Sequence, residues 1–312
     1  MSKFIMLVGL PGSGKSYVAE KFFAGSTVIS SDAIREKMWG DANDQRDPVK
    51  VFNEMERQLI AALENDEDVV YDATNIHSRN RRALVRKILH NFPETECCCV
   101  VVTCSIKECK RRQNDRERKV PDEVIDRMAR QFEVPFYNEG WGRIHVFSNG
   151  PKQNIDKEHE RLMQTAHDNP HHTTGSIGLH CSKVLAEVSA ALESSAIPVG
   201  HHKVLREAAL RHDIGKRKTK TFTNNKGEVT EIAHYYGHEG LGAYLWLSGD
   251  KDGEFMDFEF LLIGLLIQLH MKPYSFPNRS REEWNAWCEK MGHKDYVAEW
   301  VWMIHEADKS GH

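Results

Sequence analysis

The first half of the chain alternates short apolar runs with longer stretches in which apolar residues recur every three or four positions. The runs Phe4–Val8, Thr27–Ser30, Val69–Tyr71, Cys97–Thr103 and Ile144–Phe147 read as strands, and patterns such as Val49–Leu63 and Arg81–Leu89 between them read as helices. Strands alternating with helices predict βαβ units, hence a parallel sheet covered on both faces. After "SNGPKQN" the strand pattern stops. The periodicity then predicts helices over Ser176–Glu193, His202–Arg211, Gly237–Leu247, Phe258–Leu269, Glu282–Met291 and Tyr296–Ala307. The change of period at Asn149–Pro151 divides the chain into an α/β domain over 1–149 and an all-α helical bundle over 150–312. Two domains also suit the length of 312 residues, since one hydrophobic core rarely serves more than roughly 250–300.

Composition changes this picture little. Hydrophobic residues at 40% and charged residues at 28% are ordinary for a globular protein. No apolar run approaches the ~20 residues of a membrane-spanning helix, and "MSKFIMLVGL" lacks a signal-peptide pattern, so no membrane association is expected. A net charge of −4 argues against a surface coated for non-specific nucleic-acid binding, while leaving room for local basic patches. Of seven cysteines, Cys97, Cys98 and Cys99 alternate faces of one predicted strand and cannot all ligate one metal. Reduced, structural cysteines in a cytoplasmic compartment are expected.

The chemistry starts at "GLPGSGKS". Gly9, Gly14, Lys15 and Ser16 meet the P-loop spacing in full, and Gly12 and Ser13 complete the loop. The glycines let backbone N–H groups turn toward phosphates, Lys15 neutralises the β/γ-phosphates of ATP or another NTP, and Ser16 can hold its Mg²⁺. The next strand ends in "TVISSDAIR", placing Asp32 at its carboxyl end, where open α/β sheets bind ligands. A carboxylate there can accept the proton of an attacking hydroxyl, and Arg35, one turn on, can hold an acceptor phosphate; the alternative is that Ser31 or Asp32 merely caps the helix, and both roles can coexist. Asp72 in "VVYDATN" stands where a Walker-B carboxylate belongs, with Thr74 and Asn75 beside it. Arg112 and Arg116, four apart, share a helix face that suits a lid over the transferring phosphoryl group.

In order, the P-loop, S-x-D-x-x-R at Ser30–Arg35, D-x-T-N at Asp72–Asn75 and R-x-x-x-R…V-P at Arg112–Pro121 resemble the polynucleotide 5′-hydroxyl kinases over nearly all of residues 1–148. The resemblance implies Asp32 as general base, Arg35 on the 3′-phosphate side of the acceptor and Arg116 as lid arginine. Small-metabolite kinases and zeta-type toxins share part of this layout.

In the second half histidines dominate: His180, the adjacent pair His212–Asp213, His234 and His238 four apart, His270, and Asp308 near the end. Histidines and aspartates scattered over helices can converge on one cavity, and mixed imidazole and carboxylate ligands favour Mn, Fe, Co, Ni or Zn over Ca. The order H…HD…H…H…D resembles the HD phosphohydrolases over about 168–312, in particular HD domains attached to tRNA nucleotidyltransferases. That resemblance implies His180, His212, Asp213 and Asp308 as core ligands of one or two metals. His238 and His270 would join a second metal or the substrate phosphate, and Lys216 would contact phosphate; His171 and His172 are loop histidines of uncertain place.

The two halves together resemble bifunctional end-healing enzymes. The first would phosphorylate a 5′-OH, and the second would remove a 2′,3′-cyclic, 3′- or 2′-phosphate, with RNA favoured over DNA. An RNA ligase could then act on the healed ends. The alternatives are a small-molecule or nucleotide kinase fused to a nucleotide hydrolase, and a nucleotide-sensing switch that scarcely turns over.

Overall fold

The computed structural model describes residues 2–115, 119–169, 175–250 and 254–310. The chain divides into two compact units. The first comprises Met1–Met128 and Pro135–Pro151, and the second comprises Ala129–Val134 and Lys152–His312. The second unit thus takes a short piece from inside the stretch assigned by periodicity to the α/β half. Among the described residues no helix is long and apolar enough to cross a membrane.

The first unit runs β1 (Lys3–Val8), α1 (Lys15–Phe22), β2 (Thr27–Ser30), α2 (Ser31–Trp39), α3 (Pro48–Glu64), β3 (Val69–Asp72), α4 (Ser78–Asn91), β4 (Glu96–Thr103), α5 (Ile106–Asn114), α6 (Asp122–Arg130) and β5 (Arg143–Ser148). Its five strands form one sheet in the order β2-β3-β1-β4-β5, and every pairing is parallel. Strand β1 is central, so Phe4 through Val8 are all buried, which is why it reads as an unbroken apolar run. The helices start where short polar side chains accept the first free N–H groups. Ser30 caps α2, Asp47 followed by Pro48 starts α3, and Ser105 caps α5. Cys97 and Cys99 of β4 point into the core while Cys98 is half-buried, as their alternation predicts.

The second unit is mainly helical: α7 (Ile155–Met163), α8 (Ile177–Glu193), α9 (Val199–Arg211), the single turn α10 (Lys216–Thr219), α11 (His238–Leu247), α12 (Asp257–Leu269), α13 (Arg281–Met291) and α14 (Asp295–Ser310). Helix α8 packs on α7, α9 and α14, and α12 packs on α9, α11 and α14. Helices α11 and α12 are buried almost all round, as the centre of a bundle requires.

One expectation fails here. Strands do not disappear after residue 150, because β6 (Thr221–Thr223) and β7 (Val229–His234) form an antiparallel hairpin. Its turn is built by Asn224, whose Oδ1 accepts from the Lys226 and Glu228 N–H groups, and by Gly227 at φ 84°. Most of the hairpin is exposed, so it carries no apolar run for periodicity to detect.

Candidate functional site

The P-loop follows β1, and its three glycines are demanded by close backbone approach. A Cβ on Gly9 would stand 2.3 Å from the Val102 carbonyl oxygen, and one on Gly12 would stand 2.3 Å from that of Cys109. Gly12 and Gly14 also hold φ of 82° and 97°, a region that favours glycine. Lys15 Nζ donates to the Gly9 and Leu10 carbonyls at 3.1 and 2.9 Å, inside the curve of the loop. Ser16 Oγ donates to Asp72 Oδ2 at 2.9 Å. The hydroxyl and carboxylate expected to share a nucleotide's Mg²⁺ are therefore side by side. Asn75, at φ 48°, donates to the Leu7 carbonyl at 2.8 Å and ties β1 to the end of β3 rather than presenting its amide to a ligand.

Asp32 lies in the first turn of α2, where Arg35 Nη1 donates to its Oδ1 at 3.0 Å. The carboxylate is half exposed while Arg35 is nearly buried. The capping function falls to Ser30, which leaves Asp32 available for chemistry. The P-loop, Asp32, Arg35 and Asp72 open onto one cleft of about 1060 Å³.

Arg112, expected in a lid, sits elsewhere. Its guanidinium donates to Glu108 and to the backbone carbonyls of Gly12, Ser13 and Asn149, bracing the P-loop from beneath. Helix α5 ends at Asn114, and the side of it that carries Arg112 meets the loop. Arg116 lies outside the described residues. Lys119, the last residue of the basic run that holds the lid motif, does line the cleft, and so does Arg127, which no motif marks. Arg127 is hidden in the ordinary amphipathic pattern of α6. Arg81 forms a fully buried ion pair with Glu139 at 2.6 Å and donates to the Asn75 carbonyl, holding the cleft floor.

In the second unit His180 (α8), His212 and Asp213 (end of α9), His238 (α11), His270 (end of α12) and Asp308 (α14) converge, all buried. Two ligand groups result: His180, His212 and Asp213, and Asp213, His238 and His270. Asp213 belongs to both. Its Oδ2 lies 3.4 Å from His212 Nε2 and 3.8 Å from His180 Nε2, while its Oδ1 lies 3.3 and 3.6 Å from the Nε2 atoms of His238 and His270. Asp308 Oδ1 stands 2.8 Å from His180 and 3.6 Å from His212, beside the first group.

The histidines are oriented alike. Nδ1 of His212, His238 and His270 each faces a backbone carbonyl three residues earlier, at 2.7, 2.8 and 2.7 Å. A carbonyl only accepts, so Nδ1 carries the proton and Nε2 turns its lone pair inward. The Nε2 atoms of His238 and His270 then face each other at 3.3 Å, an arrangement that needs a cation between them or a proton on one. His212 Nε2 and Asp213 Oδ1 are buried without a hydrogen-bond partner among the described residues, while Asp213 Oδ2 is met by the Lys216 ammonium. These orphaned atoms fit a divalent metal.

The electrostatics agree. Burial works against the Asp213 carboxylate, but the Lys216 ammonium and the His212 ring outweigh it and hold the carboxyl well below its usual range. Asp308 is likewise disfavoured by burial yet held well below its usual range by the His180 ring at 2.8 Å and by the nearby His212 ring. Burial disfavours a charged His212, but the adjacent Asp213 carboxylate raises its pKa well above normal, so a positive charge on that ring is favoured.

Lys216, expected against a substrate phosphate, has its Nζ 2.7 Å from Asp213 Oδ2 and neutralises that carboxylate. His234 ends β7, bonds to Thr230 and stacks on Tyr236; its spacing from His238 has no helical meaning. His171 and His172 lie outside the described residues. Tyr274, which no motif marks, donates to Asp308 Oδ2 at 2.9 Å and fixes that carboxylate.

Behind it His305 is fully buried, its ring edge-on to Tyr274 at 4.2 Å, with neither nitrogen hydrogen-bonded among the described residues. Burial pushes its pKa down to about 4, against ~6.5 in an unfolded chain. The folded state resists protonation, so this contribution is complete above pH ~6.5 and is lost as pH falls toward ~4. In urea titrations, His305→Phe should recover on the order of 1–3 kcal/mol of the stability the parent loses over that window. An equally steep loss in the variant would contradict it.

A family described as AAA domain matches residues 4–135, which include the P-loop, Asp32 and Asp72. The chain is 26% identical over 147 residues to an L-seryl-tRNA(Sec) kinase of Methanococcus maripaludis, over 44% of this chain and 55% of that protein. It thus spans about half the length of that curated relative. Similar solved structures include the Pnkp1/Rnl/Hen1 RNA repair complex, at 26% identity and a TM-score of 0.36 over 42% of this chain and 43% of that one. They also include a gluconokinase from Sinorhizobium meliloti 1021, at 19% identity and a TM-score of 0.33 over 47% and 82%. The first unit, with its parallel sheet and complete P-loop, is a P-loop kinase domain, and the second is helical.

Proposed function

We propose that the chain is a bifunctional nucleic-acid end-healing enzyme, with RNA as the favoured substrate. The first unit phosphorylates 5′-hydroxyl ends with ATP, and the second removes 2′,3′-cyclic, 3′- or 2′-phosphates. The observation that carries this reading is the pairing, in one chain, of a phosphate-donor loop opening on Asp32 and Arg35 with a buried His/Asp cluster built for cations.

In the kinase unit, the P-loop amides and Lys15 hold the donor phosphates, and Ser16 and Asp72 hold the nucleotide's Mg²⁺. Arg35 orients Asp32, which takes the proton as the acceptor oxygen attacks the γ-phosphorus and ADP leaves. In the second unit, His180, His212 and Asp213, with Asp308 beside them, would hold a metal, and Asp213, His238 and His270 form a second group that could hold another. Such a pair supplies Lewis-acid polarisation of a phosphoryl oxygen and a hydroxide at neutral pH. The chain's own residues hold Asp213 and Asp308 ionised, fix the tautomers of His238 and His270 and bury the site, while the proton favoured on His212 would have to leave before that ring could act as a ligand. The metals suited to these ligands are Mn, Fe, Co, Ni or Zn.

One observation favours a second reading of the kinase half. The L-seryl-tRNA(Sec) kinase relative points to an acceptor hydroxyl carried on an aminoacylated tRNA. Purified protein should be assayed with ATP and a 5′-OH oligoribonucleotide, with seryl-tRNA, and with a 3′-mononucleotide. In parallel, an oligonucleotide ending in a 2′,3′-cyclic phosphate tests the second unit with each metal. Phosphorylation of the 5′-OH oligonucleotide in preference to the others, with release of phosphate from the cyclic end, is the expected result. A preference for seryl-tRNA or the mononucleotide would replace the acceptor assignment.

A further inference from the structure

Helix α3 has two apolar faces, and only one is used by the core. Val51, Met55, Leu59, Ala62 and Leu63 are buried against the first unit. Val49, Phe52 and Asn53 instead line the cleft, spaced i, i+3 and i+4, and Val49 and Phe52 are 68% and 42% exposed. Helix α4 repeats the arrangement: Asn80, Ala83 and Leu84 line the same cleft at the same spacing while Val85 and Ile88 are buried. One turn further along each face, Glu56 and Lys87 form an ion pair that joins the two helices. The result is a slot with apolar sides, an amide on each wall and a charge-neutral far end.

We propose that this slot binds the nucleobase of the acceptor's 5′-terminal nucleoside. The inference rests on the 5′-hydroxyl kinase reading and adds to it a recognition site. The apolar side chains and the mutually neutralised Glu56 and Lys87 suit an uncharged group better than a phosphate, for which Arg35 lines the same cleft. A planar, neutral heteroaromatic ring matches what remains. Its faces lie against Phe52 and Leu84, and its edge meets Asn53 and Asn80, each able to donate and accept. Stacking on an aromatic side chain tolerates every base, so the slot orders the terminal nucleoside without selecting its identity. Holding the base positions the attached 5′-oxygen relative to Asp32.

The test uses the full chain, ATP and two oligonucleotides that differ only at the 5′-terminal residue, a normal nucleoside in one and an abasic sugar in the other. The parent should prefer the normal end by about tenfold or more in kcat/KM, as expected for one stacked base. Phe52→Ala should lower the normal substrate to the abasic level with KM for ATP unchanged, and Phe52→Trp should keep the preference. Equal use of both ends by the parent, or an equal loss on both ends in Phe52→Ala, overturns the slot and leaves the kinase reading intact. Failure of the parent to phosphorylate either end overturns the acceptor class and the slot with it.

Discussion

Asp32→Asn is expected to lower kcat of the proposed 5′-hydroxyl phosphorylation by about 10²–10⁴, the usual worth of a positioned general base, with KM for ATP little changed. The isosteric amide can still accept from Arg35 Nη1, so the local geometry survives while the proton acceptor is lost. Stability should move little, because the side chain is half exposed and the helix cap is Ser30. Removing a negative charge from the first turn costs at most about 1 kcal/mol through the helix dipole. Arg35→Ala should act differently, raising KM for a phosphate-bearing acceptor and also lowering kcat as Asp32 loses its orientation. Rapid-quench measurement of the phosphoryl-transfer step separates the two. An Asp32→Asn enzyme that turns over within threefold of the parent would remove Asp32 from the mechanism.

The second large effect is expected at Asp213. Its two oxygens face two different pairs of histidines, so Asp213→Asn should abolish metal binding at both ligand groups, whereas His238→Ala should affect only the group that contains it. Elemental analysis of the purified variants reads this directly, and 2′,3′-phosphate removal should fall to background in Asp213→Asn. Stability is a separate matter. The substitution leaves Lys216 buried without its counter-charge, which typically costs about 3–5 kcal/mol. The double variant Asp213→Asn/Lys216→Met removes both charges and should recover much of that loss without recovering metal. Kinase activity should persist throughout, since the P-loop and Asp32 belong to the other unit. Full metal content in Asp213→Asn would refute the bridging arrangement.

How far the sequence discloses these sites depends on what each feature requires. The P-loop is legible because backbone carbonyls crowd Gly9 and Gly12 and a φ of 97° favours glycine at position 14. The His/Asp series is legible because helical spacing turns those side chains inward. Its internal order is not, since nothing in the chain order says that Asp213 sits between two histidine pairs or that Nδ1 groups bond to carbonyls three residues back. Arg112 shows the same limit from the other side, as its place on a helix does not say what that side of the helix meets. His234 lies four residues before His238, but the strand ends between them and breaks the geometry. Tyr274 and Arg127 carry no motif at all; their importance comes only from where the turn after His270 and the helix α6 place them.

The segment Ala129–Val134 has a consequence for how such a chain could arise and be taken apart. The backbone passes between the two units at 128/129, at 134/135 and at 151/152, not once. Phe132 meets Tyr244 with ring centroids 5.3 Å apart, the Val134 N–H donates to Gln268, and Gly237 and Gly240 pack directly against Arg130. A gene broken at codon 151 would therefore give a downstream product lacking part of its own interior and an upstream product with Phe132 stranded. A single breakpoint therefore cannot separate the two units whole, and separating them in the laboratory calls for redesign of residues 129–134 rather than a choice of cut site.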